Sequence, residues 1–284
     1  MTASPAPLDM TPMLGPERVA LLELLGRLSA DDWERRTECP AWNVKGIALH
    51  ILGDDLSLLT RQRDASTDSL TLFAADHPGM SFRSLLDGFN EQWVSASQFL
   101  STDLLIGLLW IVGEWSESFY REVGLDTVSG EPVGLFAETQ PSPYWQVIAR
   151  EYLERFIHQS QIRRAVGAPA LDGEVLAWAA TVVVHILAAW MVDYAPPVGS
   201  TIEIDFGVPA HAWAWERATD GWLVHNGRFG TAAARIVVAP AATVPILSRG
   251  IAPNDASEAL TITGDDALAR GALEIVAPLL ASPT

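Results

Sequence analysis

Ala195-Pro196-Pro197-Val198-Gly199-Ser200-Thr201-Ile202-Glu203-Ile204-Asp205-Phe206 is the stretch on which the reading of the fold turns. Before it, apolar residues recur at helical intervals. After it, Thr201, Glu203 and Asp205 alternate with Ile202, Ile204 and Phe206, the two-residue period of a half-buried strand. The two prolines and the glycine between these regimes break a helix and open a turn. The change of period predicts an α+β chain of two domains, a helical bundle over 1–195 and a small α+β domain over 200–284.

Working back from the break, 174–194 reads as a helix that is apolar over 175–192 except for Thr181 and His185. That run only just reaches the length a bilayer requires, and Glu174 and Asp193 flank it where positive anchors would be expected, so it predicts a buried core helix. Ser142-Pro143 supplies a cap and a first-turn proline for a helix to about Val166, ended by Gly167. Further upstream, Val19, Leu22, Leu25 and Leu28 recur at helical spacing. Asn43 can cap a second helix running to about Arg63, and Ser81 a third marked by Leu85, Leu86, Phe89 and Trp93. The apolar run 104–112 predicts a buried segment of a fourth. Downstream, strands are expected at 212–217, 222–226, 235–238 and 259–263, then a Gly264-Asp265 turn and a helix over 266–280. Trp213 and Trp215 share one strand face, with Trp222 on the next strand, and predict a core packed on that terminal helix.

The chain has 284 residues, 49% of them apolar and 19% charged, a composition of folded domains. Its 18 Lys and Arg against 35 Asp and Glu leave a net charge of −17, a repulsive background for nucleic-acid phosphates. No nucleic-acid or membrane partner is expected. One cysteine, Cys39, precludes an intrachain disulfide, and the first thirty residues lack the basic and apolar regions of a secretory signal, so a cytoplasmic location is expected. A phosphate-cradling glycine loop, a nucleophile elbow and a Cys-x-x-Cys pair are absent from the sequence.

Chemistry enters with His50, which has Gly46 one turn before it and Gly53 three residues after it; their lack of side chains predicts open space beside the imidazole. Glu154 and His158 stand four apart on a later helix and so on one face. Two histidines and one carboxylate could hold a divalent ion with coordination positions left open, the form of a catalytic site, and nitrogen and oxygen donors in such a set suit zinc. The same residues have ordinary readings: a hydrogen-bonded helix histidine, and an ion pair of Glu154 with Arg150 one turn earlier. Asp54 is expected on the helix surface and His185 as a satisfied core histidine. His77, His211 and His225 read as structural or solvated, Cys39 as a packed thiol, and Arg235 and Arg249 carry no assigned role.

Thr37-Glu38-Cys39-Pro40-Ala41-Trp42-Asn43-Val44-Lys45 followed by His50 resembles the entry to the metal-binding helix of the actinobacterial maleylpyruvate isomerase family, within the wider DinB-like helical bundles. Glu154-Arg-Phe-Ile-His158, continuing to Arg164-Ala165-Val166-Gly167, resembles that family's second ligand motif, and the Gly264-Asp265 turn before the last helix is similar to its sterol-carrier-like C-terminal domain. The resemblance spans nearly the whole chain. It implies a DinB-like four-helix-type bundle, the metal ligands His50, Glu154 and His158, and use of a low-molecular-weight thiol, mycothiol. The sequence departs from the family at Gln159-Ser160-Gln161, where many members carry Arg or Gly and then Asp. The expected function is metal-dependent activation of that thiol for attack on a small electrophile, giving cis-trans isomerisation or an S-conjugate. A metal-dependent hydrolase and a non-catalytic small-molecule-binding protein are the alternatives.

Overall fold

The computed structural model describes residues 7–66, 70–130, 136, 141–251 and 253–280; the outer ends of the two expected domains lie outside these. Helix α1 (Thr11–Leu25) buries Leu14, Leu21 and Leu25, while Val19 is half exposed and Leu28 falls beyond the helix end. The expected stripe is thus rotated. A single turn, α2 (Ala30–Trp33), starts in a capping box in which Ser29 accepts from the Asp32 amide and the Asp32 carboxylate accepts from that of Ser29. Helix α3 (Val44–Leu58) starts where Asn43 Oδ1 accepts from the Gly46 amide at 2.8 Å, and it runs on as a π-helical turn, Leu59–Arg63. Then come α4 (Leu70–Asp76) and α5 (Phe82–Ala96), the latter capped by Ser81 as expected.

Helix α6 (Thr102–Glu122) departs from the expectation of a buried 104–112 run: Leu105, Leu109 and Val112 point inward, whereas Leu104, Trp110 and Ile111 are exposed. An unbroken apolar run on a helix must present some of its residues to each side, and only one side of α6 faces the bundle. Helix α7 (Tyr144–Val166) has Pro143 as its cap, one position earlier in role than expected, and ends at Gly167 with φ 70°, a left-handed turn open to glycine. Helix α8 (Gly173–Trp190) closes in a 3₁₀ turn, Met191–Asp193. The stretch Gly173–Asp193 is long and apolar enough to cross a membrane, with mean hydropathy 2.1 over its most apolar 18-residue window, and 67% of that window is buried within the chain.

Past the Pro196-Pro197 break, β1 (Thr201–Asp205), β2 (Trp213–Ala218), β3 (Gly221–Asn226), β4 (Ala234–Val238) and β5 (Leu260–Gly264) form one sheet in the order β3-β2-β1-β4-β5. Among the described residues β1 and β4 run parallel, and the other neighbours are antiparallel. The helices α9 (Pro240–Leu247), α10 (Pro253–Glu258) and α11 (Asp266–Leu280) complete this half, so the fold is α+β, helices first and a mixed sheet with helices after. Strand β1 is buried on both faces, where its alternation predicted one. It is the central strand, and its outward carboxylates are shielded by Arg235, whose Nε lies 3.1 Å from Glu203 and whose Nη2 lies 2.6 Å from Asp205.

The helix that covers the tryptophan face is α8 rather than the terminal one. Trp213 Nε1 donates to Thr181 Oγ1 at 3.1 Å, Trp215 Nε1 to the Val184 carbonyl at 3.0 Å, and Trp222 Nε1 to the Tyr194 carbonyl at 3.1 Å. Packed against α7 on one side and against the sheet, α9 and α11 on the other, α8 is apolar nearly all round because nearly all of it is inside.

Candidate metal centre

Helices α3 and α7 bring His50 and His158 together, with ring centroids 4.7 Å apart and planes nearly perpendicular at 83°. Glu154, one turn before His158, places Oε2 3.7 Å from His158 Nε2. The three candidates therefore occupy one place. The second face of His50 is covered by Trp42, stacked at 4.7 Å, and the Trp42 indole is fixed by donating to Glu91 Oε2 at 2.8 Å. The open space expected from Gly46 and Gly53 is filled: a Cβ on Gly46 would stand 2.8 Å from Trp42 Cβ, and one on Gly53 2.3 Å from the Trp93 ring. These glycines admit indoles, so their small size serves packing beside His50. Trp42 also lines a cleft of about 440 Å³ with Glu34, Asn43, Gly46, Glu91 and Gln98.

His158 is held from behind. Its Nδ1 lies 2.9 Å from Gln161 Oε1, and an amide oxygen only accepts, so Nδ1 carries a proton and Nε2 is the nitrogen turned toward Glu154. Burial, with His158 next, pushes His50 down to about 4, which leaves it a neutral imidazole at physiological pH. Neutral imidazole nitrogens and a carboxylate are the donor chemistry a divalent ion takes. Yet as the side chains stand, no group of three or more His, Cys, Asp or Glu among the described residues is arranged to hold a metal. The donor types fit an ion; a ligating geometry requires the carboxylate and rings to close up.

Around the candidates lies a buried ionic lattice that sequence spacing did not reveal. Arg155 pairs with Asp55 and reaches Glu151 at 3.5 Å; Arg150 pairs with Glu151 and stands 4.0 Å from Asp54. Asp54 is thus turned toward α7 rather than out to solvent, and the pairing expected of Arg150 with Glu154 is replaced by these two. Burial and the neighbouring Asp54 push Glu151 upward against both arginines. Burial alone would lower Arg150 and Arg155, but the surrounding carboxylates hold both firmly charged. Gln159, the neighbour of His158, donates to the fully buried Glu17 at 2.6 Å. The one sequence signal for any of this was the departure at Gln159 to Gln161.

The remaining candidates stay apart. His185 is buried in α8 with Nδ1 2.8 Å from the Thr181 carbonyl, a satisfied core histidine. His77 stacks on Phe73, and His225 Nε2 lies 2.8 Å from Glu216. Cys39 is buried, and that burial pushes its thiol upward, away from reactivity.

Residues 14–103, which carry His50 and end before α7, match the family model of the mycothiol maleylpyruvate isomerase N-terminal domain, the family that the sequence motifs resemble. Two solved structures, of the mycothiol-dependent maleylpyruvate isomerase and of a histidine-to-alanine mutant, are 11% identical to this chain. Each alignment covers 90% of this chain and 93% of the other, with TM-scores of 0.46 and 0.49 for the isomerase and the mutant. No curated protein matches.

Proposed function

We propose that the chain is a metal-dependent enzyme that uses a low-molecular-weight thiol, mycothiol, to isomerise a small electrophile with an activated cis double bond, of the kind named for its family, maleylpyruvate. The observation that carries the reading is the meeting of His50 with Glu154 and His158, in a chain whose residues 14–103 match that family. These three residues would hold the ion, zinc by their donor types. A bound divalent ion with open positions would supply a Lewis-acidic place at which a thiol loses its proton near neutral pH.

The chain's own residues prepare that place. Burial keeps His50 neutral, Gln161 fixes the His158 tautomer, and Trp42 shields one face of His50 from water. In the reaction the thiolate sulfur adds to one alkene carbon and the electron pair moves onto the conjugated carbonyl oxygen. The former double bond rotates, and return of the pair expels the thiolate. The same attack on a carbon bearing a leaving group would end in an S-conjugate. The protein need not provide the sulfur, and Cys39, buried and raised, does not.

Metal analysis and a cis-trans assay with and without mycothiol test this together. About one zinc per chain is expected, lost when His50 and His158 are both replaced by Ala, and turnover should need both metal and thiol. Cys39→Ser should retain most of the rate. Full occupancy in the double variant refutes the ligand set; equal isomerisation without thiol refutes the thiol's role, and turnover of an ester or amide without thiol moves the reading to hydrolysis by activated water.

A further inference from the structure

The cleft of about 440 Å³ beside Trp42 opens between the loop that leads into α3 and the end of α5, and its size falls within the about 300–1,000 Å³ usual for small-molecule sites. Trp42 is one of its walls and also stacks on His50 at 4.7 Å, so the cleft and the candidate metal centre share an indole. The loop side is held in place by its own contacts. Arg36 and Asn43 form an antiparallel bridge, and Thr37 Oγ1 donates to the Trp42 carbonyl at 2.8 Å. Asn43 uses both ends of its amide, Oδ1 accepting from the Gly46 amide at 2.8 Å and Nδ2 donating to Glu34 Oε2 at 3.0 Å. On the other side, Lys45 donates to the Gln98 carbonyl at 2.7 Å and ties the turn after α5 to α3.

The groups that these contacts leave unused share one chemical character. Glu34 and Glu91 each engage one carboxylate oxygen, on Asn43 and on the Trp42 indole, and the other oxygen of each has no partner among the described residues. Arg36, Ser95 and Gln98 line the same cleft, and their side chains have no hydrogen-bond or ionic partner among the described residues. In a chain of 35 acidic residues against 18 basic ones, Arg36 shares a cleft with two carboxylates and closes on neither. Carboxylate acceptors, a guanidinium donor, and a hydroxyl and an amide that both donate and accept thus surround an indole. An apolar ligand would take water from these groups without replacing its hydrogen bonds, an anion would meet two carboxylates, and a divalent cation would meet Arg36. A body dense in hydroxyls, each able to donate and to accept, satisfies all of them and can lay its C–H surface on the indole.

We propose that this cleft holds the polyhydroxylated body of the thiol cosubstrate, with its sulfur presented on the His50 side of the shared indole. The assignment rests on the thiol-dependent reading above and deepens it, because it makes the cleft the reason that a thiol built on hydroxylated rings, as mycothiol is, is preferred to a bare one such as cysteine. Arg36, Ser95 and Gln98 are then specificity-determining residues that touch no reacting atom.

The test separates binding from turnover. S-Methyl mycothiol, whose capped sulfur cannot become a thiolate, is titrated calorimetrically into the full chain. The wild type should bind it, and Arg36→Ala and Gln98→Ala should each weaken binding about 5-fold, the loss of one hydrogen bond. Ser95→Trp, which fills the cleft from an exposed position on α5, should weaken it about 10-fold or more. In the cis-trans assay the same variants should raise KM for mycothiol by like factors, while kcat at saturating thiol, the rate with cysteine as thiol, and the zinc content stay within about 2-fold of wild type. Capped mycothiol bound equally by all four proteins, or by none of them, overturns the cleft, as does a fall in kcat with KM unchanged. Turnover that ignores thiol, with binding of the capped thiol still weakened by Gln98→Ala and Ser95→Trp, refutes the catalytic reading and upholds the cleft.

Discussion

Gln161 meets His158 with a neutral amide oxygen, which orients the imidazole and selects its tautomer without adding charge. Partners of this kind are worth about 10–100-fold in metal affinity. Gln161→Ala should therefore weaken zinc binding about 10-fold, measured by chelator competition, while Gln161→Glu, an anionic acceptor at the same reach, should tighten it; equal affinities in all three proteins would remove His158 from the ligand set. Glu17 offers a test independent of metal. Burial raises it from 4.5 to about 7, against Arg155, Gln159 and Arg163, so the folded protein favours its acid form. The stability this contributes is complete below the unfolded value near 4.5 and is lost as pH rises through about 7, up to about 3 kcal/mol. Glu17→Gln should flatten the denaturant midpoint between pH 5 and 8; a wild-type midpoint that rises over this interval would contradict the sign. That Glu154 and His158 stand together was legible from their four-residue spacing, whereas the meeting of His50 with them was expected from the family resemblance. Trp42 over His50 and Arg155 on Asp55 were not, since those contacts follow from how α3 and α7 are juxtaposed.

At the scale of elements, α3 is readable from its cap at Asn43 but its glycines are not, because a missing side chain signals room without saying what fills it. Trp93 takes the room at Gly53, with its Nε1 donating to the Leu49 carbonyl at 2.7 Å. Gly53→Ala should displace the indole and cost about 1–3 kcal/mol, the range for overpacking, with quenching or shift of tryptophan fluorescence as a second readout. A stability within 0.5 kcal/mol of wild type would mean that α5 yields without cost. Helix α6 shows the complementary failure. Period and composition marked it apolar, and an apolar run by itself does not distinguish the side that meets the bundle from the side turned outward. Strand β1 was identified by alternation, yet its polar face is buried as well, because centrality in the sheet and the pairing with Arg235 depend on strands that come later in the chain.

For the molecule as a whole, the boundary at Pro196-Pro197 divides two architectures, and we propose that it does not divide two folding units. Helix α8 belongs to the bundle by sequence, while Trp213, Trp215 and Trp222 from the sheet seat their indoles on it or on the turn that follows it. One continuous apolar core runs from α1 and α7 through α8 into β1, β2, β4 and α11. A second tie crosses at the other side: Arg164 at the end of α7 donates to Ser248 Oγ at 2.8 Å and pairs with Glu38, joining the entry loop of α3, α7 and the end of α9. Each buried tryptophan contributes several kcal/mol of burial, comparable with the net stability of a whole domain. Removing one half therefore strips the other of a core face. Calorimetry of the full chain should give one transition with calorimetric and van't Hoff enthalpies in agreement, and residues 1–195 expressed alone should aggregate or lack fixed tertiary signals. If that fragment instead melted cooperatively near the temperature of the full chain, α8 would be stable without the sheet and the two architectures would be independent domains.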